Sequence, residues 1–481
     1  MLILISLRTK LMELTEKIAL ERRKIEQGNP VLNLSGSCTT ASGILRLSTD
    51  EIDSLKAIFE EKRGEEDICF FTPASGSGSR MFKIFFEYLS ESYPDDPTKA
   101  AERSIEMLDN IDQLPIRELL SERWIVELQD GGIFPDGIIN ELISEDGLHL
   151  STLPKGLIPF HYYNKKLLNP FQEHLIQSEQ IGGRLCSLHF TINPDFHFDI
   201  EESLAEISTN LVLSFSSQDP KTHSIAFDSD LNPVKDEDDN IIFRPSGHGA
   251  LINNLNDIDA DLVLIRNIDN IQHQKKAVQS TRYRSALSAK LIEFRDEVHN
   301  ILSKLSKDQS FESSIKILNE KYDLKFSEKE MTYPEAAFLA LNRPLRICGM
   351  VKNEGEPGGG PFWVKDEKGK ESRQIIEKSQ ISDDPEHLNM IQNATHFNPV
   401  ELFCSTRSFK GKKFNLLEFV NEDQYFLVQK TQDGKDIQYI ERPGLWNGAM
   451  ANWLTLFIEI DADCFSPVKS IVDLLKDAHQ G

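Results

Sequence analysis

The sequence predicts an α/β protein in which helices cover both faces of a mostly parallel β-sheet, giving three αβα layers. Short apolar runs, each long enough for one strand, alternate with stretches of helical periodicity, and this alternation is typical of βα units. The 481 residues, 39% of them hydrophobic, are sufficient for a large core. The predicted strands are residues 67–72, 185–191, 211–216 and 262–267, and residues 200–208 are one of the intervening helices.

The predicted elements divide the chain into three parts. The first is a helical lead-in, with an amphipathic helix over residues 9–28 and a second, capped helix that begins at Thr49. The second is the α/β domain, which contains two helical insertions. Helical periodicity over residues 100–114 and 116–128 predicts the first insertion. The boundaries are 1–65 for the lead-in, 66–460 for the α/β domain, about 84–150 and 272–330 for the insertions, and 461–481 for a C-terminal segment.

The charge of the chain argues against two classes of partner. The sequence has 53 basic and 77 acidic residues, a net charge of −24. Such a charge repels the phosphates of nucleic acids and of anionic membranes. A nucleotide remains compatible, because a few local cations and N–H groups decide the potential inside a cleft.

The cysteines and the N-terminus indicate a cytoplasmic protein. The six cysteines are widely spaced, form no Cys-x-x-Cys pair and mostly lie in apolar runs, so we expect buried thiols in a reducing compartment. Residues 1–7 are apolar but too short to span a membrane, and they lack the charged flank of a signal peptide.

The most informative motif follows the first predicted strand. Residues 74–81 are Ala-Ser-Gly-Ser-Gly-Ser-Arg-Met, in which backbone N–H groups and a following arginine are suited to bind phosphate. A dinucleotide fingerprint is excluded because its third glycine would stand at Met81. A P-loop is excluded because Ser79 and Arg80 follow Gly78 in place of lysine and serine or threonine. On this motif alone, a plain strand-ending turn remains the alternative.

A second motif, Leu-Pro-Lys-Gly-Leu-Ile-Pro-Phe, occupies residues 153–160. Together with the glycine loop it resembles the signature of the sugar nucleotidyltransferases, and its Pro-Lys-Gly form is most similar to the UDP-sugar pyrophosphorylases. In compact members the two motifs are neighbours, whereas here a long segment separates Met81 from Lys155. Lys83 is nearer to the glycine loop, but Pro154 and the following Leu-x-Pro favour Lys155 as the family's lysine.

Three further segments follow in the order that this resemblance implies. Residues 242–251 resemble the family's Pro-x-Gly-Asn-Gly-Gly loop beside the base, with His248 in place of asparagine. Residues 261–270 end in Ile-Asp-Asn, similar to a Val-Asp-Asn whose aspartate, here Asp269, binds magnesium. Residues 465–469 match a Phe-Ser-Pro-x-Lys segment whose lysine reaches the phosphates. Taken as a whole, the chain resembles a bacterial family known as a domain of unknown function, in which the same motifs recur.

The resemblance implies a nucleotide-diphospho-sugar transferase-like sheet and a Mg²⁺-dependent reaction. A nucleoside triphosphate, UTP by resemblance, and a sugar 1-phosphate would give a nucleotide sugar and pyrophosphate. Such a transfer needs cations more than a nucleophile. Arg80 would hold the leaving pyrophosphate, and Lys155 and Lys469 the α-phosphate and the sugar phosphate. Asp269 would bind Mg²⁺, with the capping of a turn as its alternative role.

The remaining candidates would bind the base and the sugar. The alternative role of His248 is that of a structural histidine in a turn, and the alternative role of Trp446 is to pack into the interior. Gln218 ends a Ser-Phe-Ser-Ser-Gln run similar to one that contacts uracil, and Glu377 lies in a segment loosely similar to a sugar-binding Glu-Tyr-Ser-Glu strand. The predicted nucleotide contacts are Ala74, Ser75, Gly76, Ser77, Gly78, Ser79, Gln218, Gly247, His248 and Gly249, and the predicted sugar contacts are Glu377, Trp446 and Asn447.

Two other functions remain compatible with these residues. One is a nucleotide- or sugar-binding protein that has the fold without turnover, favoured by the long separation of the glycine and Pro-Lys motifs. The other is a glycosyltransferase that uses a nucleotide sugar, for which Asp461-Ala462-Asp463 has the required Asp-x-Asp form. That tripeptide also has the form of a helix lead-in.

Overall fold

The computed structural model confirms the α/β class with a mostly parallel central sheet. It describes residues 2–90, 97–121, 124, 135–183, 185–353, 355, 359–382, 384–432 and 435–481. The predicted helix over residues 116–128 therefore lies largely outside the described residues, apart from a 3₁₀ turn at Pro115–Leu119.

The strands of the central sheet come from the whole length of the chain. They are β2 (Ile44–Leu45), β3 (Ile68–Pro73), β6 (Ser187–Thr191), β7 (Val212–Ser216), β10 (Leu262–Arg266), β11 (Leu345–Lys352), β14 (His396–Phe397), β15 (Glu401–Ser405) and β18 (Leu454–Glu459). The remaining strands form small sheets and hairpins: β1 (Leu34–Ser37), β4 (His161–Tyr163), β5 (Lys166–Leu168), β8 (Ser224–Ile225), β9 (Phe243–Arg244), β12 (Gly360–Lys365), β13 (Glu371–Ile376), β16 (Phe426–Gln432) and β17 (Lys435–Glu441).

The order of strands in the central sheet is β2-β18-β11-β15-β10-β3-β6-β7, and β14 pairs with β11 at one end. Along this path every neighbouring pair is parallel except those of β15, which is antiparallel to both β10 and β11. The carboxyl ends of seven strands therefore share one edge of the sheet. In such sheets that edge is where ligands bind.

Helices occupy both sides of this sheet. Those in the described ranges are α1 (Leu2–Gln27), α2 (Thr49–Lys62), α3 (Lys83–Leu89), α4 (Pro97–Asp109), α5 (Pro135–Ile143), α6 (Pro170–Gly182), α7 (His197–Ala205), α8 (Leu251–Asp257), α9 (Val278–Leu305), α10 (Glu312–Tyr322), α11 (Glu328–Thr332), α12 (Pro334–Leu341) and α13 (Pro385–Gln392). None of them is long and apolar enough to cross a membrane.

The alternation of buried side chains along the strands explains the layers. In β3, Phe70 faces a core shared with α6, α7 and α9, whereas Phe71 faces a second core shared with α8. Successive side chains of a strand point to opposite faces, so a strand covered on both faces is apolar at every position. This is why the sequence signal for β3 and β10 is a continuous apolar run.

The N-terminal part is not purely helical, which corrects the prediction for residues 1–65. β1 joins a small sheet with β12, and β2 joins the edge of the central sheet beside β18. The capped helix predicted at Thr49 is confirmed as α2, which has a capping box between Ser48 and Glu51. β2 has only two residues, too few to produce a periodic signal.

The first predicted insertion is helical where it is described and has a core of its own. Side chains of α3, α4 and α5 pack together with Val468, Ile471 and Leu474 of the C-terminal segment. The insertion therefore lies beside the segment that carries Lys469. In the second predicted insertion, α9 packs on the central sheet as part of the main core, so this region is not an appendage.

Candidate active site at the carboxyl edge of the sheet

The glycine loop lies directly against the Pro-Lys motif in spite of their separation in the chain. The Gly78 N–H donates to the Leu153 carbonyl at 2.9 Å, and the Lys155 N–H donates to the Gly76 carbonyl at 3.0 Å. These bonds form an antiparallel bridge between Ser77 and Pro154. The intervening helical segment thus leaves the sheet edge and returns to it.

Gly78 is needed because of this contact. A Cβ on Gly78 would lie 2.6 Å from Ile158 Cδ1 and 3.0 Å from the Leu153 carbonyl oxygen. At Gly76, apart from the glycine itself and its chain neighbours, no atom of the described residues lies within 4 Å of the corresponding position. The two glycines therefore differ: one permits close packing of the motif, and the other leaves space at the exposed surface.

Part of the loop offers backbone donors to a ligand. The Ala74 N–H donates to the Thr191 carbonyl, and the Ser79 N–H donates to Ser77 Oγ. In the described part of the chain, the N–H groups of Ser75, Gly76 and Ser77 donate to no protein acceptor, and all three residues are exposed. Consecutive free N–H groups of this kind are suited to an anion.

Lys155 contacts Asp269, so the lysine and the aspartate predicted for catalysis meet at one point. Lys155 Nζ lies 2.7 Å from Asp269 Oδ2, and the two side chains are 13% and 24% exposed. Lys83, the alternative lysine, instead pairs with Glu87 on the surface of α3 and is 66% exposed. The geometry favours Lys155 over Lys83.

The C-terminal segment is attached to the same point. The Val468 N–H donates to the Asp269 carbonyl at 3.0 Å, and the Ser466 N–H donates to Asn270 Oδ1 at 3.0 Å. Val468 is fully buried, whereas the neighbouring Lys469 is exposed. The Lys469 ammonium has no hydrogen-bond or ion-pair partner among the described residues. It is therefore available to a ligand beside Asp269.

Glu441, which no sequence motif identified, lies against Gly247 and near Arg80. A Cβ on Gly247 would lie 2.6 Å from Glu441 Oε2, and Gly247 has φ +72°, a value that favours glycine. Burial raises the pKa of Glu441, while the nearby Lys430 and Arg80 oppose that rise. Arg80 itself is exposed at the surface of the glycine loop.

His248 is held by the protein rather than left free. Its ring stacks on Trp446 with 4.1 Å between centroids, and its Nδ1 accepts the Leu445 N–H at 3.0 Å. Burial lowers the pKa of His248 to about 4, so the ring is neutral at pH 7. Gly249 packs tightly on the carbonyls of Arg442 and Pro443. The base-side loop and the predicted sugar-side corner are therefore one unit.

The other predicted sugar contacts lie together behind this stack. Asn447 is fully buried, and its Nδ2 donates to the Ile375 carbonyl at 2.9 Å and to Glu377 Oε1 at 3.5 Å. The Asn447 Oδ1 is buried and has no hydrogen-bond partner among the described residues. Burial raises the pKa of Glu377, and the bond from Asn447 opposes that rise.

Gln218 follows the carboxyl end of β7 and is half-buried. Its neighbour Ser217 accepts a bond from Asn254 Nδ2 at 2.9 Å, and Asn254 belongs to α8, the helix that follows the Gly247 loop. Gln218 therefore lies beside the helix that follows the base-side loop.

A buried ionic cluster around Glu401 lies beneath this edge of the sheet. Glu401 accepts bonds from Arg284 Nη2 at 2.7 Å and from Asn270 Nδ2 at 3.4 Å, and it also lies 3.4 Å from Arg266 Nε. Basic residues of a mixed-charge helix usually lie on its solvated face, but Arg284 in α9 is only 4% exposed. A basic residue inside a mixed-charge helix gives no sequence signal of burial when its acidic partner is more than a hundred residues away.

The Asp-x-Asp tripeptide at the end of β18 has a local structural role. Asp461 is the cap of a 3₁₀ turn at Ala462–Cys464 and accepts the Asp463 N–H at 3.1 Å. Both aspartates are exposed. Within the described ranges, no group of three or more acidic, histidine or cysteine side chains is placed to hold a metal ion.

The chain belongs to the protein family described as a domain of unknown function (DUF4301), whose match spans residues 6–480. The family membership expected from the motifs is thereby confirmed. A comparison with curated proteins gave no match.

Several solved structures are similar at low identity. The uridine diphosphate N-acetylglucosamine pyrophosphorylase from Trypanosoma brucei is 12% identical, with a TM-score of 0.47 over 92% of this chain and 72% of that chain. A protein assigned the same activity in Entamoeba histolytica is 12% identical, with a TM-score of 0.43 over 89% and 81%. A UDP-glucose phosphorylase from Trypanosoma brucei is 12% identical, with a TM-score of 0.45 over 95% and 75%.

Proposed function

We propose that the protein is a Mg²⁺-dependent nucleotidyltransferase that joins UTP and a sugar 1-phosphate to give a UDP-sugar and pyrophosphate. The observation that carries this proposal is the meeting of four distant segments at one sheet edge. Backbone hydrogen bonds join residues 76–78 to 153–155 and Val468 to Asp269, and the Ser466 N–H donates to the side chain of Asn270. The Lys155–Asp269 ion pair joins the two halves.

The proposed reaction needs positioned cations. The oxygen of the sugar phosphate attacks the α-phosphorus in line, the bond from that phosphorus to the bridging oxygen breaks, and pyrophosphate leaves. The N–H groups of residues 75–77, which donate to no acceptor among the described residues, and the exposed Arg80 would bind the leaving phosphates. Lys155, which pairs with Asp269, would hold the α-phosphate, and Lys469, which follows the Val468–Asp269 hydrogen bond in the chain, would hold the incoming sugar phosphate.

The donor set fits a magnesium ion that arrives with the triphosphate. Mg²⁺ prefers hard oxygen ligands and retains several waters, so one carboxylate together with phosphate oxygens is enough. Asp269 would hold the ion, and the ion would supply neutralisation of the charge that develops on the phosphates. The Asp269 carboxylate is partly exposed and forms an ion pair with Lys155. When a triphosphate binds, the Lys155 ammonium would contact the α-phosphate instead.

The experiment is a search for turnover. Purified protein is incubated with Mg²⁺, each of the four nucleoside triphosphates and a panel of sugar 1-phosphates, and released pyrophosphate is measured. The proposal predicts release with UTP and at least one sugar 1-phosphate. If a nucleotide raises the melting temperature but no pair releases pyrophosphate, the protein is a binding protein without turnover.

A further inference from the structure

A cleft of about 830 Å³ lies at the edge of the sheet opposite the candidate active site. Its wall includes Leu454 and Thr455, the first residues of β18, and Arg343, which precedes β11. β18 spans six residues, so the cleft is about 16 Å from the carboxyl edge at roughly 3.3 Å per residue. Its volume is within the range of sites for small molecules.

Two guanidinium groups in this wall donate hydrogen bonds only to backbone carbonyls among the described residues, and that of Arg373 also lies over the Trp363 ring, 5.1 Å from its centroid. Arg373 is 4% exposed, and its Nη2 donates to the carbonyls of Tyr322 and Asp323. Arg343 donates from Nη2 to the Leu339 carbonyl at 2.9 Å and from Nη1 to the Asn452 carbonyl at 3.4 Å. Among the described residues, no carboxylate lies within ion-pair distance of either group.

No ion pair among the described residues neutralises these two arginines, and the opposing charges act from farther away, Glu330 on Arg343 and Asp323 on Arg373. Burial lowers the pKa of Arg343, and it lowers the pKa of Arg373 to about 10. The acidic residues of the wall do not neutralise them, because Asp366, Glu367 and Asp423 are exposed and Glu371 faces Lys365. Arg373 is buried and Arg343 half-buried, and neither forms an ion pair among the described residues, so the wall offers two cations to an anionic ligand.

The same wall has polar groups that lack a partner. The Trp453 Nε1 donor and the Gln424 Oε1 acceptor are both buried, and neither has a hydrogen bond in the described structure. Both residues line the cleft. An unmade buried hydrogen bond destabilises a protein by about 1–3 kcal/mol. A ligand hydroxyl group matches either atom, since it can accept from an indole N–H or donate to an amide oxygen.

We propose that this cleft is a second ligand site, which binds a small organic anion that carries hydroxyl groups. The anionic group pairs with Arg343 and Arg373, and its hydroxyl groups bond to Trp453 and Gln424. The anion is a phosphate or a carboxylate, because a guanidinium group recognises both. The site is independent of the reaction proposed above, because it lies at the other edge of the sheet and shares none of the residues assigned there.

The test is a binding experiment on the full-length protein. The probes are glycerol 3-phosphate, glucose 6-phosphate and glycerate at up to millimolar concentration, followed by calorimetry and by tryptophan fluorescence. Comparing the two phosphate probes with glycerate shows whether the site binds a phosphate or a carboxylate. We expect at least one probe to bind and to change the fluorescence of Trp453.

Variants locate the binding. Arg343→Gln is expected to weaken it at least about tenfold, the effect of losing a hydrogen bond to a charged group, and Arg343→Lys to retain part of it. Trp453→Phe removes the indole donor in case Arg343→Gln does not fold. Lys469→Ala is the matched control, because it removes a cation from the opposite edge. The proposal is overturned if no probe binds, if both wall variants bind like the parent, or if Lys469→Ala abolishes binding.

Discussion

Among single residues, the Lys155–Asp269 ion pair matters most for the proposed function. In the free protein each group neutralises the other across 2.7 Å. In the proposed reaction, the triphosphate would bind Lys155 and its magnesium ion would bind Asp269. An ion pair that is partly exposed costs little to separate, because solvent screens the charges in both states.

Arg80 is predicted to act on binding and not on stability. Because it is exposed and lies at the glycine loop, Arg80→Ala is expected to leave the melting temperature almost unchanged. Loss of its bonds to phosphate should weaken binding of UTP by about 1.5–3 kcal/mol, the range for hydrogen bonds to charged groups. Calorimetry on parent and variant measures this, and equal affinities would remove Arg80 from the site.

The two loop glycines are predicted to respond differently to the same substitution. Gly78→Ala forces a Cβ against Ile158 and the Leu153 carbonyl, so we expect a loss of about 1–3 kcal/mol in the free energy of unfolding, the cost of overpacking. Gly76→Ala is the control, since its Cβ would meet no atom of the described residues within 4 Å apart from its chain neighbours. Chemical denaturation of both variants measures this, and equal midpoints would show that the bridge between Ser77 and Pro154 does not constrain the loop.

At the scale of elements, the stack of His248 on Trp446 joins the Gly247 loop to the corner that precedes β18. The neutral ring is part of this contact, because Nδ1 accepts the Leu445 N–H. The pKa of His248 is lowered to about 4 by burial, below its ordinary value. The unfolded chain therefore takes up the proton first as the pH falls. The stability that the neutral ring contributes is present above about pH 6.5 and is lost as the pH falls towards 4.

The lowered pKa of His248 gives a prediction about how stability depends on pH. His248→Phe keeps an aromatic ring on Trp446 but removes the titrating group. The difference in unfolding free energy between parent and variant should shrink by about 2 kcal/mol between pH 7.5 and pH 5. Denaturation followed by tryptophan fluorescence measures it, with the exposed His197→Gln as control. A difference that stays constant with pH would show that His248 is not buried in the neutral form.

The elements that the sequence predicts well are those with a strong local signal. β3, β6, β7 and β10 begin and end within two residues of the predicted ranges, because runs of apolar residues bounded by polar turns define them. The antiparallel direction of β15 has no such signal. It is decided by pairing with β10 and β11, which are distant in the chain.

At the scale of the whole molecule, the sequence motifs foresee which segments meet but not what supports them. The Asp269 and Lys469 segments could be paired from motif order alone. Glu441 and the cluster of Arg266, Arg284 and Glu401 could not, because isolated charged residues form no motif and their contacts depend on the assembled sheet. The structure also explains the long gap between the glycine and Pro-Lys motifs, which encloses a helical unit with its own core.

The most direct test of the central claim compares two aspartates at the same sheet edge in the pyrophosphate-release assay. Asp269→Asn keeps the size of the side chain but removes the charge that a magnesium ion needs, so release from UTP and a sugar 1-phosphate should be abolished without loss of fold. Asp463→Asn is the control, because Asp463 is an exposed residue of the Asp-x-Asp tripeptide and should behave like the parent. An Asp269→Asn protein as active as the parent would contradict the account, and loss of activity in Asp463→Asn alone would move the metal to the Asp-x-Asp tripeptide.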